Sequence, residues 1–99
     1  MDQIYEVHER PLTHGGSWVV VSGDRVVGEL LWRRADGGDM DIYRTWTEPQ
    51  LRGKGLARKL LERAVDRAQD ESVRIIPTCS YVGDTMARDP KMKPLMTPA

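Results

Sequence analysis

The stretch that decides the fold lies in the middle of this 99-residue chain and reads Glu48-Pro49-Gln50-Leu51-Arg52-Gly53-Lys54-Gly55-Leu56-Ala57. From its last residues onward, apolar side chains recur in the stripe of an amphipathic α-helix, at positions 56, 57, 60, 61, 64, 65 and 68. Good helix formers dominate and no proline interrupts, so the pattern predicts a long helix over 54–69. Gly53 and Gly55, at the start of this segment, predict a turn with unusual backbone angles.

Apolar runs ahead of this turn predict an antiparallel meander. The runs at 18–21 and 26–32 flank a short turn at Gly23, which is typical of a β-hairpin. A third strand is predicted over 40–47, where the apolar positions at even spacing are Met40, Ile42 and Trp46.

The pattern changes again after the helix. Residues 73–76 form a short apolar run that ends at Pro77, whose missing N–H cannot serve a strand ladder. A strand, a crossover helix and a second strand predict parallel pairing between 40–47 and 73–76. Residues 80–88 are expected to form a short helix.

The two ends of the chain are less regular. A short strand over 4–8 is expected to stop at Pro11, with residues 14–16 in a loop. Three prolines predict an extended tail over 90–99. The length suits one domain spanning 1–99, of mixed α/β class.

Composition narrows the classes of partner. Fifteen Lys and Arg balance fifteen Asp and Glu, whereas a sequence-blind nucleic-acid binder needs a basic surplus. No apolar run approaches the roughly 20 residues of a membrane span. We therefore expect neither a nucleic-acid nor a membrane partner. The single cysteine favours a reducing, cytoplasmic compartment, and no Cys/His cluster has the spacing of metal ligands.

The glycine turn carries the strongest chemical signal. The first N–H groups of a helix have no intrahelical partner and lie at the positive end of its dipole, so they bind phosphate readily. The spacing fits neither a Walker loop nor a dinucleotide fingerprint, since Arg58 stands where the latter needs a small residue. Arg52, Gly55 and Ala57 instead match the pattern [Q/R]-x-x-G-x-[G/A]. The alternative is that this turn only starts a helix and binds no phosphate, with its Arg and Lys side chains in solvent.

Cys79 follows directly after the second parallel strand. Ligands of α/β sheets sit at the carboxyl ends of parallel strands, so the thiol and the glycine turn are expected at the same edge of the sheet. A helix over 80–88 would begin beside the thiol and stabilise its thiolate, which is the nucleophilic form. The alternative is that Cys79 is an inert, buried, small hydrophobe.

These residues resemble the GNAT superfamily of N-acetyltransferases. The pattern at Arg52–Ala57 is similar to its pyrophosphate-binding signature, and Ile75-Ile76-Pro77-Thr78-Cys79-Ser80-Tyr81-Val82 looks like its small single-domain branch. The resemblance implies a reduced GNAT fold: a mostly antiparallel sheet with a splayed parallel strand pair flanking a long helix, plus a short C-terminal helix. It implies acetyl-CoA, or coenzyme A, bound in the gap between the splayed strands.

The resemblance also assigns roles to residues. Glu48 and its neighbours would line the pantetheine arm. The pyrophosphate would contact Arg52, Gly53, Lys54, Gly55, Leu56 and Ala57, mostly through backbone amides, and Arg58 is also expected to bind the cofactor. Cys79 would accept the acetyl group. Independently of the resemblance, Tyr81 follows the thiol closely and is a candidate general acid for the leaving CoA thiolate, with a packing role as the alternative. Two positions depart from the family: Thr47 replaces a frequent Val, and Arg44 replaces a frequent His.

The implied function is transfer of an acetyl group to an amine, with a protein, peptide or small amine as the acceptor. The transfer runs either through an acetyl-cysteine at Cys79 or directly. A non-catalytic CoA-binding or protein-interaction module is the main alternative, because it keeps the turn and leaves Cys79 inert. A small RNA-associated protein is a weaker one, suggested only by the Arg and Trp residues.

Overall fold

A computed structural model describes residues 4–98 and contains one five-stranded sheet in the order β1-β2-β3-β4-β5. The regular elements in chain order are β1 (Glu6–Leu12), β2 (Gly15–Ser22), β3 (Arg25–Arg34), β4 (Met40–Thr47), α1 (Leu56–Glu71), β5 (Ile75–Ile76) and α2 (Ser80–Arg88). Short 3-10 turns lie at Pro49–Leu51 and Lys93–Leu95. Neighbouring strands are antiparallel except β4 and β5, so the fold has the reduced GNAT form that was predicted.

Helix α1 confirms the long helix predicted from the apolar stripe. Its buried face consists of Leu56, Leu60, Leu61, Ala64, Val65 and Ala68, which pack on one face of the sheet. Burying a Leu side chain contributes about 1.5–3 kcal/mol, so this stripe holds the helix on the sheet. The helix begins two residues later than predicted, because Gly55 is left-handed, and it ends at Glu71, before a left-handed Ser72.

Strand β4 contains a bulge that the alternating pattern did not predict. Its register with β3 shifts by one residue, which leaves Tyr43 as an extra residue in β4. The even spacing of Met40, Ile42 and Trp46 would place all three side chains on one face of a regular strand. One extra residue reverses the alternation, so Trp46 lies on the opposite face and donates its indole N–H to Glu29 at 3.4 Å.

The parallel pairing of β4 with β5 is confirmed but is only two residues long. Met40 pairs with Ile75 and Asp41 with Ile76, and Pro77 then ends the strand. The strand is shorter than the predicted 73–76 because residues 73 and 74 form the exit from α1. Beyond this pair the two strands separate, and α2 begins at Ser80 as predicted.

The prediction for the first strand is corrected in two respects. Pro11 lies inside β1, opposite Gly16, and an edge strand tolerates proline because its outer N–H needs no partner. Gly15 and Gly16 belong to β2 rather than to a loop. A Cβ at Gly15 would lie 2.1 Å from the carbonyl oxygen of Trp32, so glycine is required there by close strand approach.

The tail predicted over 90–99 packs against the protein and contains a 3-10 turn at Lys93–Leu95. Met92 is buried, and Leu95 and Met96 pack against the core. The amide of Thr97 donates to the carbonyl of Ile75 at 2.9 Å, beyond the edge of the sheet. Apolar side chains between the prolines hold the tail in place. Ala99 and residues 1–3 of the predicted domain lie outside the described residues.

Two features of the fold concern the classes of partner that were considered from the sequence, membranes and nucleic acids. No helix within residues 4–98 is both long enough and apolar enough to span a bilayer. Trp18 and Trp32 are 3% and 4% exposed, so these two rings lie in the core and are not available for base stacking.

Candidate functional site

The glycine turn before α1 has the unusual backbone angles predicted for it. Gly53 and Gly55 have φ values of +87° and +78°, in the left-handed region that glycine adopts without strain. A Cβ at either position would meet no atom within 4 Å. Glycine is therefore needed here for the backbone angle, and the turn faces open space.

The first amides of α1 are unused within the described part of the chain. Lys59 is the first residue whose N–H closes a helical turn, onto the carbonyl of Gly55 at 3.1 Å. No side chain caps the helix. Among residues 4–98, no acceptor faces the N–H groups of Gly53, Gly55, Leu56, Ala57 and Arg58. This start of the helix is a set of open donors at the positive end of the dipole.

A cleft of 480 Å³ lies over this turn, where β4 separates from β5. Its lining comes from β4, the glycine turn, the first turn of α1 and α2: Thr45, Trp46, Thr47, Arg52, Gly53, Gly55, Ala57, Arg58 and Tyr81. Five of the eight residues predicted to bind the cofactor are in this set, together with Tyr81. The fold therefore gathers the turn and the start of α2 around one cavity.

Three of the predicted cofactor residues do not line the cleft with their side chains. The Glu48 carboxylate is held by Arg25 at 3.0 Å and by Gln50 at 2.9 Å. Lys54 is exposed, and Leu56 is 2% exposed within the core. The amide of Leu56 is open, whereas that of Lys54 donates to Leu51 at 3.3 Å within the turn. Leu56 can thus contribute a backbone donor only.

Cys79 is the residue that caps the start of α2. Its amide donates to the carbonyl of Ile42 at 2.9 Å, which joins the turn after β5 to β4. Its thiol donates to the hydroxyl of Thr45, with an Sγ–Oγ1 distance of 3.6 Å. Since Thr45 lines the cleft, the half-buried thiol lies one side chain away from the cavity.

A buried carboxylate fixes the same turn. Asp41 accepts a hydrogen bond from the Thr78 hydroxyl at 2.5 Å and from Arg33 Nε at 3.0 Å. Asp41 is only 9% exposed, so both hydrogen-bond partners are needed to offset the free-energy cost of burying its charge. The backbone that carries Cys79 is therefore pinned to β4 by Asp41 as well as by Ile42.

The cation on the other wall of the cleft is already partnered. The guanidinium of Arg58 contacts Asp89 and, at 3.6 Å, Glu62. The Lys91 amide and then Arg58 hold the pKa of Asp89 below its usual range, and Asp89 in turn raises the pKa of Arg58. Arg58 thus contributes little free charge, and its open backbone amide is the more available group.

A larger groove of 900 Å³ lies on the far side of Arg58, between α1 and the segment that follows α2. Its charged lining contains three acids (Glu62, Asp66 and Asp89) and three bases (Arg58, Arg88 and Lys91). Because the acidic and basic side chains are equal in number, the groove favours neither an anionic nor a cationic ligand. Apart from Arg58, the groove contains none of the open amides, so the smaller cleft is the better candidate site.

Thr45 and Trp46 line the cleft but were not singled out from the sequence as site residues, and Thr47 was named only as a departure from the family pattern. Their position depends on the bulge in β4, which leaves no clear signal in the alternation. Within residues 4–98, no group of three His, Cys, Asp or Glu side chains is arranged to hold a metal ion.

Comparison with protein families agrees with the geometry. Residues 17–95 match the family model described as GCN5-related N-acetyl-transferase. The match covers most of the chain, from β2 to the 3-10 turn at Lys93–Leu95. The chain therefore belongs to the GCN5-related N-acetyltransferase family, as the resemblance predicted.

Proposed function

We propose that the protein binds acetyl-CoA in the 480 Å³ cleft and transfers the acetyl group to an amine. The proposal rests on the open amides at the start of α1, since four of the five residues that carry them also line the cavity: Gly53, Gly55, Ala57 and Arg58. Family membership supports an acetyltransferase-like activity. The cofactor, the acceptor and the route of transfer are the parts that are proposed.

The open amides suit the pyrophosphate of CoA. A charge-assisted hydrogen bond contributes about 1.5–3 kcal/mol net, so several of them account for useful affinity without a dedicated lysine. The positive end of the α1 dipole adds to this attraction. Thr45, Trp46 and Thr47 extend the lining along β4, which supports a path for the pantetheine arm from the turn toward Cys79.

Cys79 is the proposed acetyl acceptor. Its thiolate attacks the thioester carbonyl, an S–C bond forms, and the bond from that carbon to the CoA sulfur breaks. The leaving CoA thiolate takes a proton from the Tyr81 hydroxyl, which lines the cleft in the first turn of α2. Exchange of one thioester for another is nearly isoergic, so the step needs no further energy source.

The acceptor amine then attacks the acetylated Cys79. A C–N bond forms, the C–Sγ bond breaks, and the proton released by the amine returns to Tyr81. Arg44 stands where the family often has histidine, so we assign no general base at that position. The open cleft supports a protein, peptide or small amine as the acceptor, and the single cysteine supports a reducing, cytoplasmic setting.

Intact-mass measurement after incubation with acetyl-CoA tests the route. The wild type is expected to gain one acetyl group, and Cys79→Ser is expected to gain none. A Cys79→Ser protein that still acetylates an added amine would instead support direct transfer.

Intact-mass measurement together with calorimetric titration distinguishes the enzyme from the non-catalytic module. Calorimetric titration with CoA reports binding whether or not acetyl transfer takes place. CoA binding without acetylation of either the protein or an added amine would favour a binding module. No CoA binding by the wild type would refute the proposal.

A further inference from the structure

We infer that Thr45 is a positioning residue that orients the Cys79 thiol and stabilises its thiolate. The inference rests on the proposed role of Cys79 in acetyl transfer. Thr45 Oγ1 lies 3.6 Å from Sγ and accepts the thiol hydrogen, and Thr45 also lines the cleft. No other side chain within residues 4–98 forms a hydrogen bond with this sulfur.

The bulge in β4 is what brings the hydroxyl to this position. The extra residue Tyr43 reverses the alternation, so Thr45 pairs with Leu30, which is fully buried on the face that packs on α1. Without the bulge, residue 45 would lie on the other face, away from Cys79. The contact therefore depends on a local irregularity of the strand.

A threonine hydroxyl can serve both protonation states of the thiol. It accepts from S–H when the thiol is neutral, and it donates its own O–H to the sulfur after the thiol proton has passed to solvent. A hydrogen bond to a charged group is stronger than one between neutral groups, so the hydroxyl favours the thiolate.

Thr45 is not needed to hold the backbone of Cys79. The Cys79 amide is fixed by Ile42, and the preceding Thr78 is fixed by Asp41. Loss of the Thr45 hydroxyl is therefore expected to change the state of the thiol while the turn stays in place. This separates a positioning role from a merely structural one.

The test follows the thiolate by its ultraviolet absorbance as the pH is raised, without acetyl-CoA. Cys79 is the only cysteine, so Cys79→Ser supplies the blank. Below the titration midpoint, Thr45→Val and Thr45→Ala are expected to show about fivefold less thiolate than the wild type, which corresponds to about 1 kcal/mol. Thr45→Ser keeps the hydroxyl and is expected to stay within about twofold of the wild type.

Thr47→Val is the matched control, because Thr47 lines the same cleft two residues further along β4 without contacting Sγ. It is expected to titrate like the wild type. Unchanged thiolate in both Thr45→Val and Thr45→Ala would overturn the inference, as would an equal loss in Thr47→Val or in Thr45→Ser. The thiolate absorbance is measured without acetyl-CoA. An absence of acetyl transfer would therefore refute the proposed function, while the effect of Thr45 on the thiolate could still be interpreted.

Discussion

Gly55→Val separates the backbone requirement of the turn from its role as a phosphate site. Gly55 has φ +78° and ψ 12°, and its missing Cβ points into open space. A left-handed angle costs an L-residue about 1–2 kcal/mol, and no clash within the protein adds to this. In a domain of this size, each kcal/mol lowers the Tm by about 4–8 °C. We therefore expect the variant to fold with a lower Tm.

The effect on CoA binding should exceed the effect on stability. The valine side chain would enter open space at a residue that lines the cleft, beside the start of α1, where the proposed pyrophosphate approaches. Loss of one charge-assisted hydrogen bond costs about 1.5–3 kcal/mol, which raises the Kd about 10- to 150-fold. Calorimetric titration with CoA measures this change directly.

Gly23→Val is the matched control for the same backbone strain. Gly23 has φ +65°, its Cβ would also meet nothing within 4 Å, and it lies in the turn between β2 and β3, outside the lining of the cleft. We expect a comparable loss of Tm and an unchanged Kd for CoA. Equal affinities in the two variants would refute the assignment of the glycine turn as the phosphate site.

Two further predictions concern charged residues. Lys54→Ala should weaken CoA binding only about two- to fivefold, and less at high salt, because this lysine is exposed and lies outside the lining of the cleft. Calorimetry at two salt concentrations checks this prediction, and a loss of affinity as large as that in Gly55→Val would contradict it. Asp89→Asn should lower the Tm at neutral pH, because the Lys91 amide and Arg58 hold the Asp89 pKa below its ordinary value of 3.8 in the folded protein. The stabilisation by the ionised Asp89 is fully present above pH 3.8 and is lost as the pH falls through the lower pKa that Asp89 has in the folded protein. The difference in Tm between Asp89→Asn and the wild type should therefore disappear on acidification. A difference that persists at the lowest pH would refute this role of the Asp89 carboxylate.

Local sequence determined the parts of the fold that depend on local interactions. The apolar stripe predicted α1, the even spacing predicted β4 within its observed bounds, and the segment after Cys79 predicted α2. The glycine turn was also readable, because an unusual backbone angle next to a helix start requires glycine whatever the rest of the chain does. The resemblance carried by this turn and by the Cys79 segment was enough to predict the family.

Tertiary structure alone decided how these parts form a cleft. The bulge at Tyr43 depends on how β4 pairs with β3, and it moves Trp46 to one face and Thr45 to the other. The contact between Arg58 and Asp89 joins residues that are 31 positions apart in the chain. Such contacts join residues far apart in the chain, so they leave no periodic signal at either residue. The sequence therefore specified which groups are available, and the pairing of the strands decided which of them face the same cavity.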